Sequence, residues 1–88
     1  MRTAVNGAQF HRDVKLAQRR GKDTAKLREA ILLLLDGRPL PSRYKDHALA
    51  GDWSHHRDCH IEPDWLLIYK VEGDDLHLVR TGTHSDLF

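Results

Sequence analysis

Seven histidines stand in 88 residues, and five of them follow position 50. Imidazole titrates near pH 6.5, so two histidines brought together can serve as base and acid in one reaction at neutral pH. Three have suggestive settings. His47 lies in a loop punctuated by Pro39, Pro41 and Gly51; His60 ends one strand-like segment and Asp64 opens the next; His84 follows Thr81-Gly82-Thr83. A tight hairpin through Pro63-Asp64 is expected to bring His60 and Asp64 close on the rim of a sheet, where a carboxylate can orient an imidazole or raise its pKa. By spacing alone, the same histidines also read as ordinary surface residues.

Metal and covalent chemistry have weaker signals. The run His55-His56-Arg57-Asp58-Cys59-His60 holds zinc-type ligands. On a helix, His55/Cys59 and His56/His60 would share one face; on a strand, residues four apart lie about 13 Å from each other, too far to share an ion. Trp53, Ile61 and Pro63 favour the strand, so neither a metal nor a cofactor is expected. No G-x-S-x-G, P-loop or G-x-G-x-x-G is present, and Ser85 points away from its neighbour His84 on extended backbone. A metal-free acid–base site suits RNA, which carries its own nucleophile. The enzyme need only deprotonate the 2′-OH, stabilise the phosphorane and protonate the 5′-oxygen.

The elements that must position these groups follow from hydrophobic periodicity. Phe10, Val14 and Ala17 recur at helical spacing from Ala8 to Arg20, with Gly21 as the stop. Asp23 is the expected N-cap of a second helix whose buried stripe is Leu27, Ile31, Leu34 and Leu35, ended by Gly37 and Pro39. Residues 2–6 can form a short strand, and 38–52 read as loop. Strands are expected over Trp53–Ile61, Trp65–Val71 and Leu76–Thr81, the middle one apolar on both faces as a central strand should be. The sum is one α+β domain over 1–88, with two N-terminal antiparallel helices packed on a three- to four-stranded antiparallel sheet.

Charge is unevenly spread. Residues 1–45 carry 11 Lys and Arg against 4 Asp and Glu, whereas residues 46–88 carry 3 against 9. Arg12, Lys15, Arg19 and Lys22 lie off the apolar stripes and read either as a face for a polyanion or as a solvated helix surface. The longest apolar run, Ile31 to Leu35, is far too short to span a membrane, and the N-terminus lacks the apolar core of a secretory signal. One cysteine, Cys59, suits a reducing cytosol, so a cytoplasmic protein is expected. A chain this short buries only about 60–65% of its unfolded surface, which favours a stabilising partner.

The stretches Tyr44-Lys45-Asp46-His47-x-Leu49-x-Gly51-x-Trp53, Arg57 to Lys70, and Arg80 to Phe88 resemble the YafQ branch of the RelE/ParE toxin superfamily, as does the earlier Asp13-Val14-Lys15-Leu16-Ala17. The H-x-E-P-D-W and R-T-G-[ST]-H motifs carry most of the likeness. The resemblance implies a RelE-like fold and a type II toxin–antitoxin toxin, an mRNA interferase that cuts mRNA in the ribosomal A site. It implies functional positions at His47, His60, Asp64, Trp65, His84 and Phe88. Ala48 stands where the family often has proline, and His56 where an aromatic is frequent.

On this reading His84 is the general acid, and His60 with Asp64 orients or deprotonates the 2′-OH. His47 stabilises phosphate charge or shares the base role. Trp65 and Phe88 are expected near the RNA, and Arg12, Lys15, Arg19 and Lys22 against ribosomal RNA. The partners implied are the ribosome with its mRNA and a cognate antitoxin of the ribbon-helix-helix kind, through which alone the toxin would meet operator DNA. Two other classes stay open: a ParE-like toxin acting on gyrase, and a non-catalytic nucleic-acid-binding module.

Overall fold

The computed structural model describes residues 1–88. Strand β1 (Thr3–Asn6) leads into helices α1 (Ala8–Arg19) and α2 (Thr24–Leu35). Strands β2 (His47–Ala48), β3 (Arg57–Glu62), β4 (Trp65–Glu72) and β5 (Asp75–Gly82) follow, and a short helix α3 (His84–Leu87) closes the chain. The boundaries of α1 and α2 fall within one residue of those the sequence predicts. Gly21 takes the left-handed conformation just past α1 (φ +79°), and the Asp23 carboxylate caps α2 by accepting the Ala25 N–H at 3.0 Å. No helix is long and apolar enough to cross a membrane.

The sheet differs from expectation in number and in direction. It has five strands in the order β1-β5-β4-β3-β2. The β2–β3, β3–β4 and β4–β5 pairs are antiparallel, but β1 runs parallel to β5, with Thr3 opposite Asp75 and Asn6 opposite Leu78. The helix pair between β1 and the rest carries the chain across the sheet, and a crossover is what parallel pairing needs. The fifth strand, His47–Ala48, falls inside the predicted loop; two residues are too few to show an alternating pattern. Strand β3 starts at Arg57 rather than Trp53, because a 3₁₀ turn over Gly51–Trp53 and left-handed backbone at Gly51 and His55 keep that segment out of the ladder.

Alternation along the strands sorts the molecule into two layers. On one face Cys59, Trp65, Leu67, Tyr69, Leu76 and Leu78 pack under Phe10 and Ala17 of α1 and Leu27, Ala30 and Leu34 of α2. Each large apolar side chain so buried stabilises the fold by about 1.5–3 kcal/mol. On the other face Leu66 and Ile68 are covered by Leu87 of α3, with Leu49, Trp53 and Val79 around them. Helix α3 was not anticipated, and its one buried residue, Leu87, holds it down.

A partly buried ion pair ties the helices to the sheet. Asp13, on the inner side of α1, accepts Arg80 Nε at 2.7 Å, Arg80 Nη2 at 3.2 Å, the Thr81 N–H at 3.1 Å and Gln9 Nε2 at 3.1 Å. Strand β5 has an extra residue here: Ile68 faces Arg80 and Tyr69 faces Leu78, leaving Val79 unpaired. This bulge lets two successive residues, Arg80 and Thr81, reach the same carboxylate. Asp13→Ala would strand a guanidinium and a backbone N–H together. It should lower the unfolding free energy by about 3 kcal/mol in urea titration, with unchanged m-value. A loss below about 1 kcal/mol would show that water replaces the carboxylate.

Candidate active site

The R-T-G-T-H segment leaves β5 and turns at Gly82 into α3, which begins at His84. A reciprocal cap fixes that start: Thr83 Oγ1 accepts the Asp86 N–H at 3.1 Å, and Asp86 Oδ2 accepts the Thr83 N–H at 3.0 Å. Arg20 of the segment after α1 binds Asp86 at 2.7 Å and, with the Thr83 N–H, holds its carboxyl well below the usual range. His84 is thereby placed beside the β3–β4 turn. One oxygen of Asp64 accepts both the His84 N–H, at 2.9 Å, and His84 Nδ1–H, at 2.6 Å. The backbone bond first, and the ring second, hold the Asp64 carboxyl below its ordinary value, so it is ionised at neutral pH.

This corrects one expected pairing. Asp64 engages His84, not His60. The ladder shifts between His60 and Glu62, leaving Ile61 unpaired at the head of the hairpin, and Asp64 turns toward α3. His60 instead stands on the face opposite Cys59, by strand alternation, between two other imidazoles. Its ring centroid lies 5.7 Å from that of His84, edge to face, and 6.5 Å from that of His47. The three rings form a row across β2, β3 and the start of α3.

His47 is held from below and behind. Its Nδ1 donates to the Lys45 carbonyl at 2.7 Å, a contact that fixes the tautomer. Lys45 has left-handed backbone (φ +48°), which aims that carbonyl back at the ring. The other ring nitrogen, Nε2, lies 3.2 Å from Asp58 Oδ1. Asp58 is only 3% exposed, and burial pushes its carboxyl up, against the pull of His47, His60 and His84. Beside His60, Arg43 and Lys45 line a groove of about 310 Å³ with Glu62 and Pro63, placing two cations next to the histidine row.

Not every expected residue reaches this face. Trp65 is 1% exposed within the helix-side core, its indole N–H donating to Thr81 Oγ1 at 2.9 Å, so direct contact with RNA is closed to it. Its apolar surface belongs to the buried alternation of β4, and it acts as support under the hairpin that carries Asp64. Phe88 is exposed and lies 6.4 Å from the Trp53 ring, edge to face, near the histidine row. Arg12, Lys15 and Arg19 are exposed on the outer side of α1, across the sheet from the histidines. Lys22 is half-buried, bound to Glu62 at 3.2 Å and set over the Trp65 ring at 5.8 Å. The run His55–His60 does not converge, and Cys59 is buried on the helix side with its thiol pushed up to about 12. Sequence reasoning names Asp58 only within a zinc-type run and assigns no place in the site to it, to Arg43 or to Lys45. The signal for Asp58 was present, since it lies two residues before His60 on the same strand face.

With this geometry in place, similarity to known proteins is informative. Residues 2–88 match the family model of YafQ, the bacterial toxin of type II toxin–antitoxin systems. The mRNA interferase toxin YafQ of Escherichia coli strain K12 is 53% identical over 81 residues, covering 91% of this chain and 88% of that protein. The crystal structure of YafQ from E. coli strain BL21(DE3) superposes with a TM-score of 0.95 at 48% identity, over 100% of this chain and 99% of that one. YafQ in the E. coli DinJ-YafQ complex gives a TM-score of 0.93 at 49% identity, again over 100% and 99%. The sheet superposes on that of a solved YafQ, and the family model spans almost every residue: the chain belongs to the YafQ family of bacterial toxins of type II toxin–antitoxin systems.

Proposed function

We propose that this toxin is an mRNA interferase, a ribosome-dependent endoribonuclease that cuts mRNA in the A site and so stops translation. The observation that carries the reading is the row of three imidazoles on one sheet face, the outermost bonded to an ionised carboxylate. His60, whose ring stands between those of His47 and His84, is the base toward the 2′-OH. The freed 2′-oxygen attacks phosphorus. His84, oriented through Nδ1 by Asp64, presents Nε2 to the departing 5′-oxygen and protonates it, leaving a 2′,3′-cyclic phosphate. His47 and the Lys45 and Arg43 cations offset charge on the phosphorane. Phe88 stands where a base can stack against it.

These steps are assigned to side chains alone, so a chelator, dosed with magnesium held at the level that keeps the ribosomes intact, should leave the cutting rate unchanged. The partner is a cognate antitoxin, in line with the E. coli relative solved with DinJ. We assign it to the ribbon-helix-helix kind, with operator DNA bound by the complex and the toxin acting in the cytoplasm.

Two experiments test the reading. His84→Gln keeps a polar side chain of similar reach but delivers no proton. Message cutting on ribosomes should slow by about 10²–10⁴-fold, equivalent to roughly 3–5 kcal/mol of transition-state stabilisation. A 5′-thio substrate, whose leaving group needs no acid, should recover much of that loss. Equal slowing on both substrates would move the acid to His60 or His47, and inhibition of gyrase with no cutting would replace the reading altogether. Neutralising Arg12, Lys15 and Arg19 together should weaken ribosome binding and flatten its salt dependence, because fewer counterions are released. An unchanged slope would make α1 a solvated face only. Lys22 stays unchanged in that variant because its bond to Glu62 is structural.

A further inference from the structure

We infer that Phe88, Trp53 and His56 form a stacking platform for the bases of the message just downstream of the cut. Trp53 is its central post, and neither Trp53 nor His56 has a part in the chemistry above. The direction rests on the nuclease reading of His60 and His84, whereas the platform rests on the arrangement of the rings.

The rings form a connected path. The Trp53 indole lies between two others, with the His56 ring at 5.4 Å and the Phe88 ring at 6.4 Å, both near edge to face. Such pairs are attractive at that tilt and hold the ring planes in place. Each ring is also fixed from outside the path. Trp53 packs against the cluster of Leu66, Ile68 and Leu87, and His56 Nδ1 meets the Ser54 carbonyl at 2.9 Å. The Phe88 N–H donates to the His84 carbonyl at 2.9 Å. Phe88 is nevertheless 60% exposed, and Trp53 and His56 are only half-buried. Aromatic surfaces held open in a row are what single-stranded RNA stacks on.

The direction follows from where the path meets the histidine row. Phe88 is one helical turn beyond His84, its N–H closing the last turn of α3, so the path joins the row at His84 and not at His60. In the cutting reaction His60 serves the 2′-OH upstream of the phosphate, and His84 serves the 5′-oxygen of the nucleotide downstream. Attack and departure lie on opposite sides of phosphorus, so the strand leaving past His84 carries the downstream bases toward Phe88. Beyond His56, charge contributes little. Lys70 and His77 face each other in the β4–β5 ladder, but Lys70 is engaged by Glu72 at 2.8 Å and His77 lies 3.8 Å from the same carboxylate. The platform therefore holds bases by ring contact, and its share of the binding should change little with salt.

The test is Trp53→Leu, which keeps an apolar cover over Leu66 and Ile68 and removes the central ring. Single-turnover cutting on programmed ribosomes should need about 5- to 100-fold more toxin for half-maximal rate, with the maximal rate changed far less. That ratio should hold from low to high salt. On a message with an abasic site just downstream of the cut, Trp53→Leu should cost nothing further; an abasic site upstream should leave its cost intact. Binding is read separately with a message whose A-site codon is 2′-deoxy and uncuttable, carrying 2-aminopurine at each codon position in turn. The wild-type chain should quench the downstream probe, and Trp53→Leu should not. If Trp53→Leu fails to fold, His56→Ala, at the outer end of the path, should show the same pattern at smaller size. Equal half-saturation and quenching in variant and wild type, a loss that follows the upstream base, or a loss confined to antitoxin affinity overturns the inference. Quenching by a wild-type chain that cuts nothing overturns the nuclease reading and leaves the platform in place.

Discussion

Because β4 buries Trp65, Leu67 and Tyr69 on one side and Leu66 and Ile68 on the other, it can occupy only the centre of a sheet covered on both faces. The rest of the structure follows from that constraint. The larger apolar surface takes the two long helices. The smaller is capped by Leu87, which draws the end of the chain back across the sheet and sets His84 against the Asp64 turn. A chain whose β4 alternated apolar with polar would have no use for α3, and the site would lack its outermost histidine.

The polar contacts act as stops on this layered packing. Asp13 fixes the height of α1 over β5 and does so at the bulge, where backbone N–H groups would otherwise lose partners. Arg20 and Asp86 connect the segment after α1 to α3, so the far layer and the near one are joined at both ends of the R-T-G-T-H stretch. The residues that build the site are thus placed by groups that never approach the substrate. Such support is what holds side chains to the few tenths of an ångström that proton transfer demands.

Much of this can be read in the amino-acid order, and what cannot be read has physical causes. Both helices were visible because the stripe of Phe10, Val14 and Ala17 and the Asp23 cap are local signals. The central strand showed itself by apolar residues on both faces. Parallel pairing of β1 depends on a partner 72 residues away, Thr3 with Asp75, and nothing within Thr3–Asn6 records it. The four candidate acid–base residues were found, and they do gather, yet the pairing of Asp64 was misjudged because a one-residue ladder shift redirects every side chain beyond it. Asp58, named only within a zinc-type run, has no visible place in the site for a different reason: a carboxylate in a charged run looks solvated until alternation and the arrival of β2 seal it in.

Cys59 has a consequence outside the chemistry of the site. Its thiol is fully covered between the sheet and α2, and burial raises it to about 12, so at neutral pH it is neither a thiolate nor within reach of a reagent. An oxidant or alkylator can meet this sulfur only when β3 parts from its neighbours. The residue is therefore a natural clock for opening of the molecule: its rate of modification counts excursions of the central sheet, while a folded toxin passes through oxidative stress with its sole thiol intact.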